Sequence, residues 1–428
     1  DMLTPEDNEL LCRITGQNPM GQMVRRYWIP ALFSHELEND RQPVRVRLMG
    51  ENLVAFRDSN GDVGLLQELC PHRGASLFLA RNEECGLRCL YHGWKFDVSG
   101  RVIEMPTEIN NEAVIDRVQA VAYPVQEAGG IIWAYMGPEE DKPAPVNFEF
   151  TNYPESHLVH TKMHIACNWV QCLEGVLDTA HSNYLHSDTF KPAANSSSDY
   201  RGDSLVVDRP SGDGQPRLEV ENTDYGFRYA AIRRTIAEDQ DKSYIRTTLF
   251  IAPFYGLFAG QKNWGALQAF VPIDDENTML NFVRYNLKQP VDDKERERQI
   301  AWSGLIPGVD IDDNFRMTRN RENDWLQDRA AMEDGKSASG LRGVQVEDAV
   351  IQESMGPIFD RSTEHLGTTD IAVVRMRRLM LQAVRGFMKD GKPPLGLNEQ
   401  IPYERLRAEE AIISQNTTWQ DVCKLGQP

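Results

Sequence analysis

Cys70-Pro71-His72-Arg73-Gly74 and Cys89-Leu90-Tyr91-His92-Gly93-Trp94 decide how this chain is read, because each sets one cysteine and one histidine on a short loop. The pattern is Cys-x-His, sixteen residues, then Cys-x-x-His. Two thiolates and two imidazoles can hold one tetrahedral zinc, or they can divide between the two irons of a sulfide-bridged cluster. A cluster needs one Cys and one His from each of two loops that clasp it, and Gly74 and Gly93 permit the close backbone approach. Zinc fingers have no use for Pro71, Arg73, Gly74, Gly93 or Trp94, so the flanking residues favour the cluster. Cys85 is surplus to that set of four and reads as a small buried residue.

Outward from these loops the texture is short and alternating. Val44–Leu48, Leu53–Phe56 and Ile131–Tyr135 read as strands, with a turn at Ser59-Asn60-Gly61-Asp62. Thr4-Pro5-Glu6-Asp7 starts a helical lead-in, with proline at the first helical position. A stretch rich in proline and acid, Gly137 to Pro145, reads as a linker. The expected division is therefore an all-β domain with its lead-in over 1–145, and a second domain over 146–428. In the second, Asn168 to about Leu185 has helical texture, and strands are expected at Tyr225–Ile232, Tyr244–Ile251, Gly265–Val271 and Thr278–Tyr285. Helix returns from Asp293, and Ile371–Met388 is strongly amphipathic. Strands followed by helices imply an α+β fold, its sheet covered on one face.

Composition narrows the function. With 46 Lys and Arg against 64 Asp and Glu, the net charge of −18 disfavours nucleic acid and anionic membranes as partners. No apolar run is long enough for a membrane span, and the acidic start DMLTPEDNELLCR lacks the charge order of a signal peptide, so a cytoplasmic location is expected. Seven scattered cysteines do not form a disulfide framework; they read as thiols or metal ligands.

A second constellation lies at Asp178-Thr179-Ala180-His181-Ser182-Asn183-Tyr184-Leu185-His186. Asp178 and His181, three apart, share a helical face, whereas His181 and His186, five apart, converge only if the helix ends or distorts near Asn183. Two histidines and one distant carboxylate make the facial arrangement of non-heme iron(II) oxygenases, which leaves positions open for dioxygen and substrate. An electron-storing cluster upstream gives such a centre its purpose.

The segments LTPEDNELLCR, CPHRGASL, CLYHGWKFD, EMPTE, NWVQCLEGVLDTAHSNYLH and ESMGPIFDRS…EHLG resemble the oxygenase component of the phthalate dioxygenase group of Rieske non-heme iron oxygenases. The resemblance implies an all-β Rieske [2Fe-2S] domain joined to a helix-grip catalytic domain with an antiparallel sheet and covering helices. It implies Cys70, His72, Cys89 and His92 as cluster ligands, His181 and His186 as iron ligands, and Asp178 as a bridging carboxylate. Asp348 is favoured as the third iron ligand, with Glu347, Glu353 and Asp360 as competitors. Many relatives carry an amide residue directly after the acidic residue that aligns with Glu174, where this chain has Gly175. Implied cofactors are the Rieske cluster and a mononuclear Fe(II), with O2 as co-substrate. Implied partners are an NAD(P)H-dependent reductase carrying flavin and iron–sulfur centres, a small aromatic carboxylate, and further copies of the chain, as a trimer or stacked trimers. In such a trimer Asp178 would link His181 to His92 of the neighbouring copy.

A benzoate-like anion needs cations, and arginine binds carboxylates bidentately. Arg246, facing away from Ile245 and Thr247 on its strand, is the first candidate, and Arg209 the second. The expected activity is dihydroxylation of an aromatic acid to a cis-dihydrodiol. The alternatives are monooxygenation, as O-demethylation or ether cleavage, and a Rieske electron carrier without oxygenase activity.

Overall fold

The computed structural model describes residues 2–109, 115–192, 207–236, 241–260, 263–391, 394–397, 400–414 and 416–424. Two compact units are present. One comprises Ile14–Gln17 and Gly21–Val146; the other comprises Asp1–Arg13, Asn18–Met20 and Asn147–Pro428. The lead-in helix Pro5–Cys12 thus belongs with the second unit, where the sequence reading had grouped it with the first. The reason is hydrogen bonding: the Cys12 carbonyl accepts from Asn168 Nδ2 at 3.0 Å and Trp169 Nε1 at 3.2 Å, and Asn8 Nδ2 donates to the Phe359 carbonyl.

The first unit is all-β. Trp28–Phe33, Ile131–Tyr135 and Val125–Ala128 form one antiparallel sheet; Val44–Leu48, Glu51–Arg57 and Val63–Gln67 form a second. A four-stranded meander follows: Arg81–Glu83, Gly86–Arg88, Lys95–Phe96 and Val102–Glu104. Val54, Phe56, Leu66, Leu77, Leu87 and Phe96 fill the core together with Cys70, Cys89 and Trp94. Cys85 is half-exposed rather than buried. It sits at φ 59° beside Glu84 at φ 48°, in the two-residue turn between Arg81–Glu83 and Gly86–Arg88. That primed turn geometry matches the strand twist and leaves the side chain at the surface.

The second unit is built on one antiparallel sheet. Its strand order is Leu158–Ile165, Asn277–Asn286, Trp264–Asp274, Tyr255–Phe258, Lys242–Ile251, Gly226–Arg234 and Arg217–Thr223. Glu410–Ser414 also pairs with Lys242–Ile251, beyond the short strand Tyr255–Phe258. Helix Trp169–Leu177 lies on the strands Tyr255–Phe258, Trp264–Asp274 and Asn277–Asn286, and the long helix Ile371–Asp390 lies on Arg217–Thr223 and Gly226–Arg234. In the long helix Ala372, Val373, Met376, Met380, Leu381 and Val384 are buried, the stripe its periodicity predicts.

Helix Trp169–Leu177 starts at Asn168, whose side chain accepts from Val170 N, and it stops at Leu177, eight residues before the sequence texture suggests. Asp178 takes an extended conformation and its Oδ1 accepts from Ala180 N at 2.8 Å. This local side-chain bond competes with helix continuation, so a 3-10 turn at His181–Asn183 follows instead.

Behind that helix lies a buried ion cluster. Arg361 grips both oxygens of Glu174 at 2.9 Å, Arg377 Nε donates to Glu174 Oε1 at 2.6 Å, and Arg377 also pairs with Glu364. Burial opposes charge on Glu174, but the two guanidiniums outweigh it and hold the carboxyl below the usual glutamate range. The carboxylate is therefore charged at neutral pH, and its stabilisation is lost only as acid protonates it. Glu174→Ala leaves Arg361, which is fully buried, without its main counter-charge. It is expected to lower the unfolding free energy of this unit by about 3–5 kcal/mol at pH 7. Denaturant titration reads that loss, and the difference from the parent chain should shrink below pH 4.

Candidate active site

The two cysteine–histidine loops of the first unit are copies of one geometry. Cys70 N donates to the Ala75 carbonyl at 2.8 Å and Gly74 N to the Cys70 carbonyl at 2.9 Å. In the second loop Cys89 N donates to the Trp94 carbonyl at 2.9 Å and Gly93 N to the Cys89 carbonyl at 3.0 Å. Both glycines stand at φ 74°, a backbone region that side chains disfavour. The His72 and His92 rings are 4.5 Å apart, and Trp94 stacks on His72 at 4.3 Å. Burial pushes the Cys70 thiol up to about 11, and the Cys89 thiol beside it adds to the shift.

One zinc would gather its ligand atoms into a single small sphere. Among the described residues the group of three or more His, Cys or carboxylate side chains whose ligand atoms all lie within 4.8 Å of one another is His181, His186 and Asp348, not this set. Thiol beside thiol and imidazole beside imidazole, with the two pairs not converging on one point, fits a cluster of two irons. His92 Nδ1 is buried with no hydrogen-bond partner among the described residues, as a nitrogen reserved for a metal would be.

In the second unit three donor atoms form a nearly equilateral triangle. His181 Nε2 and His186 Nε2 are 3.2 Å apart, and Asp348 Oδ1 is 3.3 Å from the first and 3.1 Å from the second. Atoms on one face of an octahedron with bonds of about 2.2 Å lie about 3.1 Å apart, so the triangle fits a facially bound metal. Burial disfavours a charged His181, yet the carboxylates of Asp178 and Asp348 outweigh it and lift the imidazole to about 10. Asp348 is held well below the usual carboxylate range by the same two histidines against the opposing effect of burial.

The four acidic residues offered for this site separate clearly. Asp348 joins the triangle. Glu347 turns the other way, and its Oε2 lies 2.7 Å from His186 Nδ1 while its Oε1 accepts from Ser339 Oγ at 2.6 Å. Glu353 accepts from Trp325 Nε1 and Ala166 N, both at 2.9 Å, and Asp360 caps its own turn at Ser362. Asp178 Oδ2 lies 3.4 Å from His181 Nδ1, and its side chain is partly exposed. Each imidazole in the triangle thus has a carboxylate behind it. The roles of Glu347 and Ser339 were not apparent in sequence, where the only signal was an acid adjacent to Asp348.

The loop that carries the histidines is tied to the sheet. Tyr229 OH donates to the Leu177 carbonyl, Arg233 Nη2 to the Thr179 carbonyl, and Arg209 Nη1 to Ser182 Oγ. Arg209 is buried, with its guanidinium 3.5 Å over the Phe190 ring, and Arg246 Nη2 donates to the Ala259 carbonyl. Both arginines line the same cleft as His181, His186 and Asp348, with Phe190, Phe258 and Trp302 as its aromatic wall. Burial, reinforced by Arg246, pulls Arg209 well below the ordinary arginine value and Arg233 to about 10. At Gly175, a Cβ would come within 2.4 Å of Gln352 Nε2, so the amide of Gln352 fills the space a side chain there would occupy.

Residues 27–120 match the Rieske [2Fe-2S] domain and residues 134–424 match the LigXa C-terminal domain like family. The chain belongs to the Rieske oxygenases. It is 43% identical to the phthalate 4,5-dioxygenase oxygenase subunit of Pseudomonas putida, over 98% of this chain and 94% of that one. It is 35% identical to the 3-chlorobenzoate-3,4-dioxygenase oxygenase subunit of Comamonas testosteroni, over 98% and 97%. In fold it is similar to the terminal oxygenase of carbazole 1,9a-dioxygenase from Nocardioides aromaticivorans IC177, with a TM-score of 0.57 and 18% identity over 89% of this chain and 98% of that one. Within this Rieske oxygenase no described helix is long and apolar enough to cross a membrane.

A carboxylate behind a metal-binding imidazole fixes its tautomer and orientation. Glu347→Ala is therefore expected to weaken metal binding at the His181–His186–Asp348 group by about 10–100-fold. Metal content after dialysis reads the loss, and the visible spectrum of the Rieske cluster should not change.

Proposed function

We propose that this chain is the terminal oxygenase of a system that dihydroxylates an aromatic carboxylate with O2 to a cis-dihydrodiol. In this reading Cys70, His72, Cys89 and His92 hold the [2Fe-2S] cluster, and His181, His186 and Asp348 hold the mononuclear Fe(II). The observation that carries the substrate class is the presence of Arg209 and Arg246 in the same cleft as the His181–His186–Asp348 triangle. When bound, the cluster supplies single electrons and the mononuclear iron supplies dioxygen activation.

The protein residues do the rest. Glu347 holds His186 through Nδ1, and Asp178 approaches His181 through Nδ1, so both Nε2 atoms face the same point. Phe190, Phe258 and Trp302 flank an aromatic ring and keep water from it. Arg209 and Arg246 take the carboxylate, and this anion relieves the crowding of guanidiniums that burial makes costly. An NAD(P)H-dependent reductase with flavin and iron–sulfur centres is the proposed electron source. The exposed side of Asp178 is proposed to meet His92 of a neighbouring copy in a trimer, with the assembly in the cytoplasm.

Oxygen uptake over a panel of benzoates and phthalate isomers, driven by a surrogate reductase, is expected to respond to di-acids most strongly. With labelled O2, both labelled atoms should remain in one product; a single retained atom would move the reading to monooxygenation. Arg246→Met is expected to raise KM for the preferred acid at least tenfold, with a smaller change in kcat.

Metal uptake by metal-free protein should depend on pH with a definite sign. His181 at about 10 is protonated at neutral pH, and a metal must displace that proton. The apparent affinity for cobalt(II) should rise roughly tenfold per pH unit between pH 7 and 9 and flatten towards pH 10. Titration calorimetry in two buffers of different ionisation enthalpy would count the released proton.

A further inference from the structure

The cleft holds a pair of amide side chains that neither metal binding nor carboxylate binding uses. Gln268, on strand Trp264–Asp274, and Gln345, on helix Val344–Ser354, both line it. Both are almost completely buried, and Gln268 Nε2 donates to Gln345 Oε1 at 2.7 Å. That bond consumes one donor and one acceptor. It leaves the Gln268 carbonyl oxygen and the Gln345 amino group with no other partner among the described residues. Neither atom is shut away from solvent, unlike the buried orphan Gln352 Oε1 on the same helix. The two free amide atoms therefore open into the cleft that their side chains line.

Sheet register locates the pair. Phe250, Gly256, Gln268 and Phe282 form one row across four strands. Arg246 lies four residues from Phe250 on its strand, about 13 Å away along the sheet. A Cβ on Gly256 would come within 2.4 Å of Val176 Cγ1, so the helix that leads into Asp178 and His181 sits on the Gln268 row. Gln345 precedes Asp348 by three residues on one helical face. The amide pair thus stands at the metal end of the cleft and Arg246 further along the sheet, while Arg209 reaches the histidine loop through Ser182.

The chemistry of the pair is selective. A free carbonyl oxygen and a free amino group on one pair suit a hydroxyl group, which both donates and accepts. A carboxylate only accepts and would meet the Gln268 carbonyl oxygen unfavourably, and a bare ring edge satisfies neither atom. We propose that Gln268 and Gln345 form a hydroxyl-reading subsite, and that the ligands held best are aromatic acids with a hydroxyl on the ring edge remote from the carboxylate. The proposal rests on the carboxylate reading of the arginine end. A phenolic substrate and the diol product share this chemistry.

The test is calorimetric binding of phthalate and 4-hydroxyphthalate to the anaerobic holoenzyme. The parent protein should bind the hydroxylated acid about tenfold more tightly, the worth of roughly one well-placed hydrogen bond. In Gln268→Met/Gln345→Met, which removes both partners at nearly constant volume, the ratio should fall to about one while phthalate affinity changes less than about threefold. An unchanged thermal midpoint and Rieske spectrum establish that the variant folds, and single Gln345→Met gives the same readout if the double variant does not. Equal affinities in the parent, or a preference that survives in the variant, would overturn the subsite and leave the carboxylate reading intact. Failure of both acids to bind would overturn both. Oxygen uptake separates the sources: a hydroxylated acid that is consumed is a substrate, and one that only competes with phthalate mimics product.

Discussion

Two imidazole nitrogens and a carboxylate oxygen held 3.1–3.3 Å apart are a demand as much as an arrangement. Lone pairs that converge from three sides are stabilised only by a positive charge between them. In metal-free protein a proton on His181 meets that demand in part, as the upward shift of that imidazole shows. Everything around the triangle keeps the donors from relaxing apart. Glu347 and Ser339 hold His186 from behind, Asp178 stands behind His181, and Arg209 and Arg233 fix the loop that carries both histidines.

The rigidity of that loop depends in turn on the ion cluster beneath the preceding helix. Glu174, Arg361, Arg377 and Glu364 bring together two positive and two negative charges from helix Trp169–Leu177, the loop that precedes the long helix, and the long helix Ile371–Asp390 itself. A cluster of this kind seldom adds much net stability over an apolar core, but its geometry is unforgiving. It specifies one mutual placement of the elements, and placement is what a facial metal site requires. The N-terminal helix joins the same network through Asn8 and Cys12, which explains why it packs with the second unit despite preceding the first in sequence.

Much of this was legible in the residues, for reasons that differ by site. The Cys-x-His and Cys-x-x-His loops are local, so their spacing and glycines encode the geometry directly. Four strands of the large sheet were readable from alternation, whereas Leu158–Ile165, Arg217–Thr223, Tyr255–Phe258 and Glu410–Ser414 were not, because each is recognisable only beside its partner strand. The early end of helix Trp169–Leu177 was hidden in a single Asx-type bond at Asp178. Asp348 and Glu347 are adjacent in sequence and opposite in direction, and only the helix that carries them distinguishes ligand geometry from the carboxylate behind His186. The amide pair was invisible, since Gln268 and Gln345 are 77 residues apart and neither carries a motif.

The cleft also reconciles an acidic protein with an anionic ligand. A net charge of −18 repels carboxylates at long range, but salt screens that field within about 8 Å. Locally, Arg246 opposes the charge of the buried Arg209 and Arg233, with Glu410 Oε2 3.6 Å from Arg246 Nε as a nearby counter-charge. In the proposed reading a bound carboxylate offsets the repulsion on Arg209 and Arg233 as it forms its own hydrogen bonds. Binding energy at the arginine end then comes partly from a cost already present in the empty protein. The aromatic wall adds no charge preference of its own, so in the proposed reading the arginines select the class of acid and thereby the ring edge presented to the His181–His186–Asp348 group.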